Sequence, residues 1–114
     1  MTAQAAQEAA RCRWPTAHGA DEAGAFVLQA ENLARAEVLG QPPLTALPAG
    51  ALSIPAPYDA AYVHFAAAML AQLDGVYDRY NAELALYSAL YDAWARAYRR
   101  ENLPARGAEV RAYG

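Results

Sequence analysis

The stretch from Val76 to Arg100 constrains this chain more than any other. Its large apolar residues Tyr77, Tyr80, Leu84, Tyr87, Tyr91, Trp94 and Tyr98 recur at alternating spacings of 3 and 4, with no proline or glycine between them. Residues three and four apart are neighbours on a helical turn, so one α-helix gathers all seven on a single stripe, whereas a strand would send them to both faces. Five of the seven are tyrosine. A sealed core favours Leu, Ile and Val, and a buried phenol needs a partner for its hydroxyl. The stripe therefore reads as part core and part subunit boundary, with Leu84 and Trp94 packing inward and some tyrosine hydroxyls reaching the edge of the seam.

The helix needs something to pack against, and the preceding residues supply it. Tyr58, Tyr62, Phe65, Met69 and Leu73 recur at 4, 3, 4 and 4, which predicts a helix over 58–73 that starts after Pro57 with Asp59 in its first turn. Asp74-Gly75 allows a tight turn. The two helices (58–73 and 76–101) are expected to form an antiparallel hairpin with facing aromatic stripes, in preference to one continuous helix carrying Gly75 at a cost of about 1 kcal/mol. Asp78 near the start of the last helix and Arg96, Arg99 and Arg100 near its end complement the helix dipole, and Asp92 is spaced to pair with Arg96. Leu103-Pro104 marks its end.

Upstream, residues 2–13 are rich in alanine and glutamine, with Thr2 as N-cap and Pro15 as a stop, and predict a short first helix. A second helix is expected over 21–39, opened by Asp21 and Glu22 and closed by Gly40, with Phe26, Leu33 and Val38 on its apolar side, and it is expected to pack across the hairpin. Residues 40–57 hold five of the seven prolines, which forbids continuous helix. Within this connection, 44–47 and 51–54 flank Pro48-Ala49-Gly50 and form a candidate β-hairpin. A connection of this length is a candidate contact loop. The fold class is therefore all-α: a small bundle of about four helices in one domain (1–104), with a proline-rich central connection and an extended basic tail (105–114).

Composition limits the function. The hydrophobic fraction of 56% is largely alanine, 31 of 114 residues, and alanine favours helix more than burial. Nine arginines and no lysine against 12 acids give a net charge of −3, which argues against generic polyanion binding. Five of the arginines lie in residues 96–114, so a basic tail follows an acidic body. Cys12 is the single cysteine, so neither an internal disulfide nor a CxxC zinc site can form. No apolar run approaches the roughly 18 to 20 residues that span a bilayer, and the N-terminus lacks the pattern of an export signal. The expectation is a soluble protein that is not exported and has no membrane partner.

No enzyme signature emerges. His18 and His64 have no ligand or carboxylate at spacings such as HExxH and read as a turn histidine and a helical-face histidine. Cys12 has no local base. Asp74 with Asp78, and Glu31 with Glu37, read as dipole complements and solvated acids. No glycine loop is present to cradle phosphate, and no metal or cofactor is expected. Arg and Tyr are enriched at protein contacts, so the candidate interface residues are Tyr77, Tyr80, Tyr87, Tyr91 and Tyr98 with Arg99, Arg100, Arg106 and Arg111.

Residues 52–104 resemble a known family. Leu52-Ser53-Ile54-Pro55-Ala56-Pro57-Tyr58-Asp59, Tyr62, the run Asp74-Gly75-Val76-Tyr77-Asp78-Arg79-Tyr80-Asn81, Leu86-Tyr87, Tyr91 and Tyr98 through Pro104 are similar to small head-tail connector (adaptor) proteins of tailed bacteriophages. The likeness covers about half the chain and is most specific at 74–81, which has no catalytic content. Where the family often has Asn-Arg-Thr-His before the final proline, this chain has Arg99-Arg100-Glu101-Asn102. The resemblance implies a non-enzymatic virion subunit, assembled in the host cytoplasm as a homo-oligomeric ring, a dodecamer, in the neck under the portal. A portal protein and the next neck or tail protein would be its partners, and DNA would only pass through the channel. A different class, a non-viral protein-binding module or dimeric regulator, would also use such a helical domain, and a third reading is an aromatic pocket for a flat ligand.

Overall fold

The computed structural model describes residues 1–102 and is all-α. Four helices follow in order: α1 (Ala3–Arg13), α2 (Ala20–Ala34), α3 (Ala60–Leu73) and α4 (Tyr77–Asn102). A π-helical turn, Arg35–Leu39, continues α2. The expected extended tail, the helix end at Leu103-Pro104, and Arg106 and Arg111 lie outside the described residues.

Local chemistry sets the ends. The Thr2 hydroxyl accepts from the Ala5 amide at 3.2 Å and caps α1. At the start of α2, Glu22 reaches back to accept from the Gly19 amide at 2.9 Å, satisfying one of the donors a helix start leaves open. The turn between α3 and α4 is closed by amides of Gly75 on the Gln72 carbonyl and of Val76 on the Ala71 carbonyl, both at 3.0 Å. This Schellman pattern places residue 75 in the left-handed region at φ 75, where glycine avoids the Cβ clash. The hairpin expected from Asp74-Gly75 is therefore present.

The core differs from the sequence reading in where it is centred. Helix α3, not α4, is the middle of the bundle: it packs against α1, α2 and α4, and Ala61, Tyr62, Val63, Phe65, Ala66, Ala67, Ala68, Leu70 and Ala71 are all buried. A helix apolar on every side belongs inside. The second helix, taken with its π-helical end, meets both helices of the hairpin as expected. It rests on α3 and meets α4 mainly through its π-helical end. Alanine adds little bulk to a core, yet Ala3, Ala6 and Ala10 are the buried residues of α1, and Ala23, Ala30 and Ala34 are buried on α2. Small side chains let backbones approach closely, so the alanines build contact area by proximity rather than by bulk.

The expected β-hairpin within 40–57 is absent. Ala51 instead bridges antiparallel to Thr2, and the Leu52 amide donates to the Met1 carbonyl at 2.9 Å. Two short strands of their own would leave one face of each unpaired, whereas the start of α1 offers a ready partner. Leu52 and Ile54 are buried. The Asn32 side chain pins the first half of the connection, donating to the Leu44 carbonyl at 3.0 Å and accepting from the Leu44 amide at 2.8 Å.

Candidate functional site: two buried carboxylates and an exposed hairpin tip

The aromatic stripe forms a continuous ladder. Phe65 of α3 meets Tyr87 at 5.0 Å between ring centroids, and Tyr87, Tyr91, Trp94 and Tyr98 follow one another at 5.4, 5.8 and 6.0 Å. Trp94 is buried and Leu84 is half-buried against the core. The candidate interface residues separate sharply. Tyr77 is 62% exposed, Tyr80, Tyr91 and Tyr98 are half-buried, and Tyr87 is buried inside the subunit, where it is not open to a partner. Burial, reinforced by the negative charges of Glu37 and Asp92, pushes the Tyr87 phenol up to about 12. Tyr91 reaches the edge of the seam, where its hydroxyl donates to Glu37 at 2.8 Å, and burial followed by that bond raises its pKa. Arg99 and Arg100 are exposed. Asp92 and Arg96 do not close the expected ion pair.

Two acids that the sequence left unremarked or placed in solvent are the most buried charges of the fold. Glu31, read above as a solvated acid, is 1% exposed. It accepts from the Ser53 amide at 3.0 Å, from the Ser53 hydroxyl, and from the Tyr62 hydroxyl at 2.5 Å, with the Arg35 guanidinium 3.6 Å away. Tyr62 in turn accepts from the Ile54 amide at 2.9 Å. This ties the second half of the connection to α2 and α3. It also corrects the expectation that Tyr62 belongs to the stripe facing α4. Burial first, then the bond to Glu31, raises the Tyr62 pKa far above its ordinary range.

Glu83 of α4 is 2% exposed at the other end of the hairpin. The Arg13 Nε of α1 donates to both its oxygens at 2.7 and 2.8 Å, His64 Nδ1 of α3 lies 2.8 Å away, and Arg79 approaches to 3.6 Å. Burial pushes the Glu83 carboxyl upward, but the bonds from Arg13 and His64 outweigh it and hold the pKa below the usual value. His64 is therefore more than a bland helical-face residue. Nearby, the loop after α1 is pinned to the hairpin turn: the Trp14 indole donates to Asp74 at 2.7 Å and His18 Nε2 lies 3.1 Å from the same carboxylate. These bonds, with Trp14 first, lower the Asp74 pKa.

Sequence carried a signal for both acids. Glu31 sits four residues after Val27 and three before Ala34, and Glu83 three after Tyr80 and four before Tyr87, so each shares a face with apolar neighbours. An acid on an apolar stripe calls for a buried partner. The partners themselves, 70 residues away for Arg13 and 31 for Tyr62, follow only from the fold.

Among the described residues every buried side-chain nitrogen and oxygen has a partner, and no cluster of His, Cys, Asp and Glu is placed to hold a metal ion. Among them, too, no helix is long and apolar enough to cross a membrane. The cleft beside the aromatic ladder, lined by Leu39, Pro55, Tyr58, Trp94 and Tyr98, holds ≈ 240 Å³, whereas an open groove on α2 lined by Ala25, Leu28, Asn32, Leu33 and Pro43 holds ≈ 510 Å³, within the roughly 300 to 1,000 Å³ usual for small-molecule sites. What the clamps leave exposed is the hairpin tip, where Leu73 is 51%, Val76 39% and Tyr77 62% accessible. Comparisons with protein-family models, curated proteins and solved structures return no match.

Proposed function

We propose that this chain is a structural, non-catalytic subunit of the neck of a tailed bacteriophage, a head-tail connector that assembles as a homo-oligomeric ring under the portal and joins capsid to tail. The observation that carries the reading is the hairpin tip. The run 74–81, the most specific part of the likeness to connector proteins, forms that tip, and it is braced by Trp14 on Asp74 and by Arg13 on Glu83. It still presents Leu73, Val76 and Tyr77 to the outside. An apolar point held rigid by its own polar braces suits docking onto another subunit, because little order remains to be gained on contact. The portal and the next neck or tail protein are the partners in this reading, DNA only passes through the ring, and Arg99 and Arg100 are further contact residues.

The test is to mix the protein with the portal protein of the same phage and image the product by electron microscopy. Rings seated on the portal are expected. Tyr77→Asp and Leu73→Asp should each abolish them while leaving the circular dichroism of the free protein unchanged, since neither side chain is buried. Failure of the wild-type protein to associate with that portal, or rings that form equally well with both variants, would overturn the proposal.

A further inference from the structure

Helix α4 has a second face. Opposite the aromatic seam, Asp78, Ala82, Leu86, Ala89, Ala93 and Arg96 recur at spacings of 4, 4, 3, 4 and 3, which makes a stripe on one side of the helix. Among the described elements α4 packs along α3 and the π-helical turn, and it reaches α1 and α2 through the Arg13–Glu83 and Tyr91–Leu33 bonds, all away from this stripe. The stripe is left exposed apart from half-buried Ala93, and Leu86 is 44% accessible. The charges on this stripe are polarised, with Asp78 at its N-terminal end, Arg96 and then Arg100 at its C-terminal end, and alanine and leucine between, while exposed Asp92 flanks it one turn before Arg96. Neither Asp78 nor Arg96 belongs to an ion pair among the described residues.

Such a face is complementary to itself when reversed. The midpoint of 78 and 96 is 87, and a two-fold axis there sets Asp78 of each copy against Arg96 of the other, sets Ala89 against Ala85 with Leu86 beside the axis, and closes both ends with opposite charges. Alanines at the centre allow the axes to approach to about 8 Å, the short end of the helix-packing range. The helix dipoles also oppose one another favourably. A parallel arrangement would instead stack Asp78 on Asp78 and Arg96 on Arg96. We propose that two copies of this chain pair antiparallel through the outer face of α4, and that this dimer is the state of the free protein. An isologous contact closes at two copies and does not build a ring, so the pairing stands or falls independently of the connector reading.

The experiment is sedimentation equilibrium on the full chain, with far-UV circular dichroism as the control for folding. The wild-type protein is expected to dimerise in the micromolar range, as suits a contact of modest area. Leu86→Glu, which plants a charge near the axis in both copies, should raise the Kd about a hundredfold. Asp78→Arg and Arg96→Asp reverse an exposed pair at two symmetric places, and each should weaken the dimer about tenfold. Mixed in equal amounts, those two variants set arginine against aspartate at both ends, so the mixture should recover wild-type affinity as a heterodimer; the orientation is read from the single variants, because a parallel pair already stacks like charges and neither reversal would weaken it. A wild-type protein still monomeric at about 100 μM, a Leu86→Glu dimer of unchanged affinity, or a mixture no tighter than its components would each overturn the proposal. Because Asp78 and Arg96 are exposed, the charge variants decide the matter even if Leu86→Glu does not fold.

Discussion

Glu31 and Glu83 are equally buried, yet they are held by different chemistry. Glu31 is bonded by neutral donors, two hydroxyls and an amide, with Arg35 only at 3.6 Å. Glu83 is gripped by the Arg13 guanidinium, with His64 at 2.8 Å and Arg79 beyond. The first ties a loop to two helices, and the second ties three helices together. The contrast teaches that burial alone does not describe a carboxylate. What its partners lose when it is removed depends on whether they can turn to water. Arg13 is 38% exposed and can do so, whereas Tyr62, with 0% accessibility, cannot.

The contrast can be broken in order of expected effect. Glu31→Ala orphans the Tyr62 hydroxyl and both Ser53 donors, and should cost about 3 to 5 kcal/mol in urea unfolding followed by circular dichroism, since each stranded buried polar group is worth about 1 to 3. Glu83→Ala should cost less, about 2 to 3 kcal/mol, because Arg13 resolvates while the half-buried His64 loses its partner. If Glu83→Ala proves the more damaging, charge rather than stranding governs these sites.

Smaller effects follow from pH. Glu83 and Asp74 have depressed native pKa values, so their stabilisation is fully present above the ordinary carboxylate value near 4 and is lost as pH falls through the lower native values. Tyr62 has a raised one, so its contribution is fully present below about pH 10 and is lost above it. Thermal midpoints measured across pH should fall at both extremes, with Glu83→Gln flattening the acid limb and Tyr62→Phe the alkaline limb. The reverse assignment would show that the two ends do not titrate separately. Smallest of all, Tyr91→Phe removes a bond to Glu37 at the rim and should cost about 0.5 to 1 kcal/mol. A larger loss would mean that this rim bond holds the π-helical turn in place.

The hairpin was legible because Asp74-Gly75 sits between two stripes of helical period, and the ladder because its aromatics never leave that period. Thr2 and Gly40 marked helix ends for local reasons, through a hydroxyl cap and a left-handed φ of 64. What local pattern could not supply was partnership across the chain. Ser53, Ile54 and Tyr62 converge on Glu31 only after the connection folds back, and Ala51 takes Thr2 in place of a strand in its own loop. The centrality of α3 was hidden by its alanines, which look weakly hydrophobic one at a time but together leave that helix no polar side. Among the candidate contact residues, Tyr77 stayed outside because it projects at the tip, while Tyr87 was drawn in against Phe65.

The two tryptophans give each end of the molecule an optical reporter. Trp14 donates to Asp74 beside the Glu83 clamp with the Arg79 guanidinium 6.0 Å from its ring, whereas Trp94 is buried at the opposite end in the cleft that also includes Ser53. A half-exposed indole beside a cation and a buried indole among aromatics emit differently. With Trp14→Phe or Trp94→Phe in hand, each remaining indole shows when its own end of the bundle opens, and therefore whether the two ends part together or in sequence.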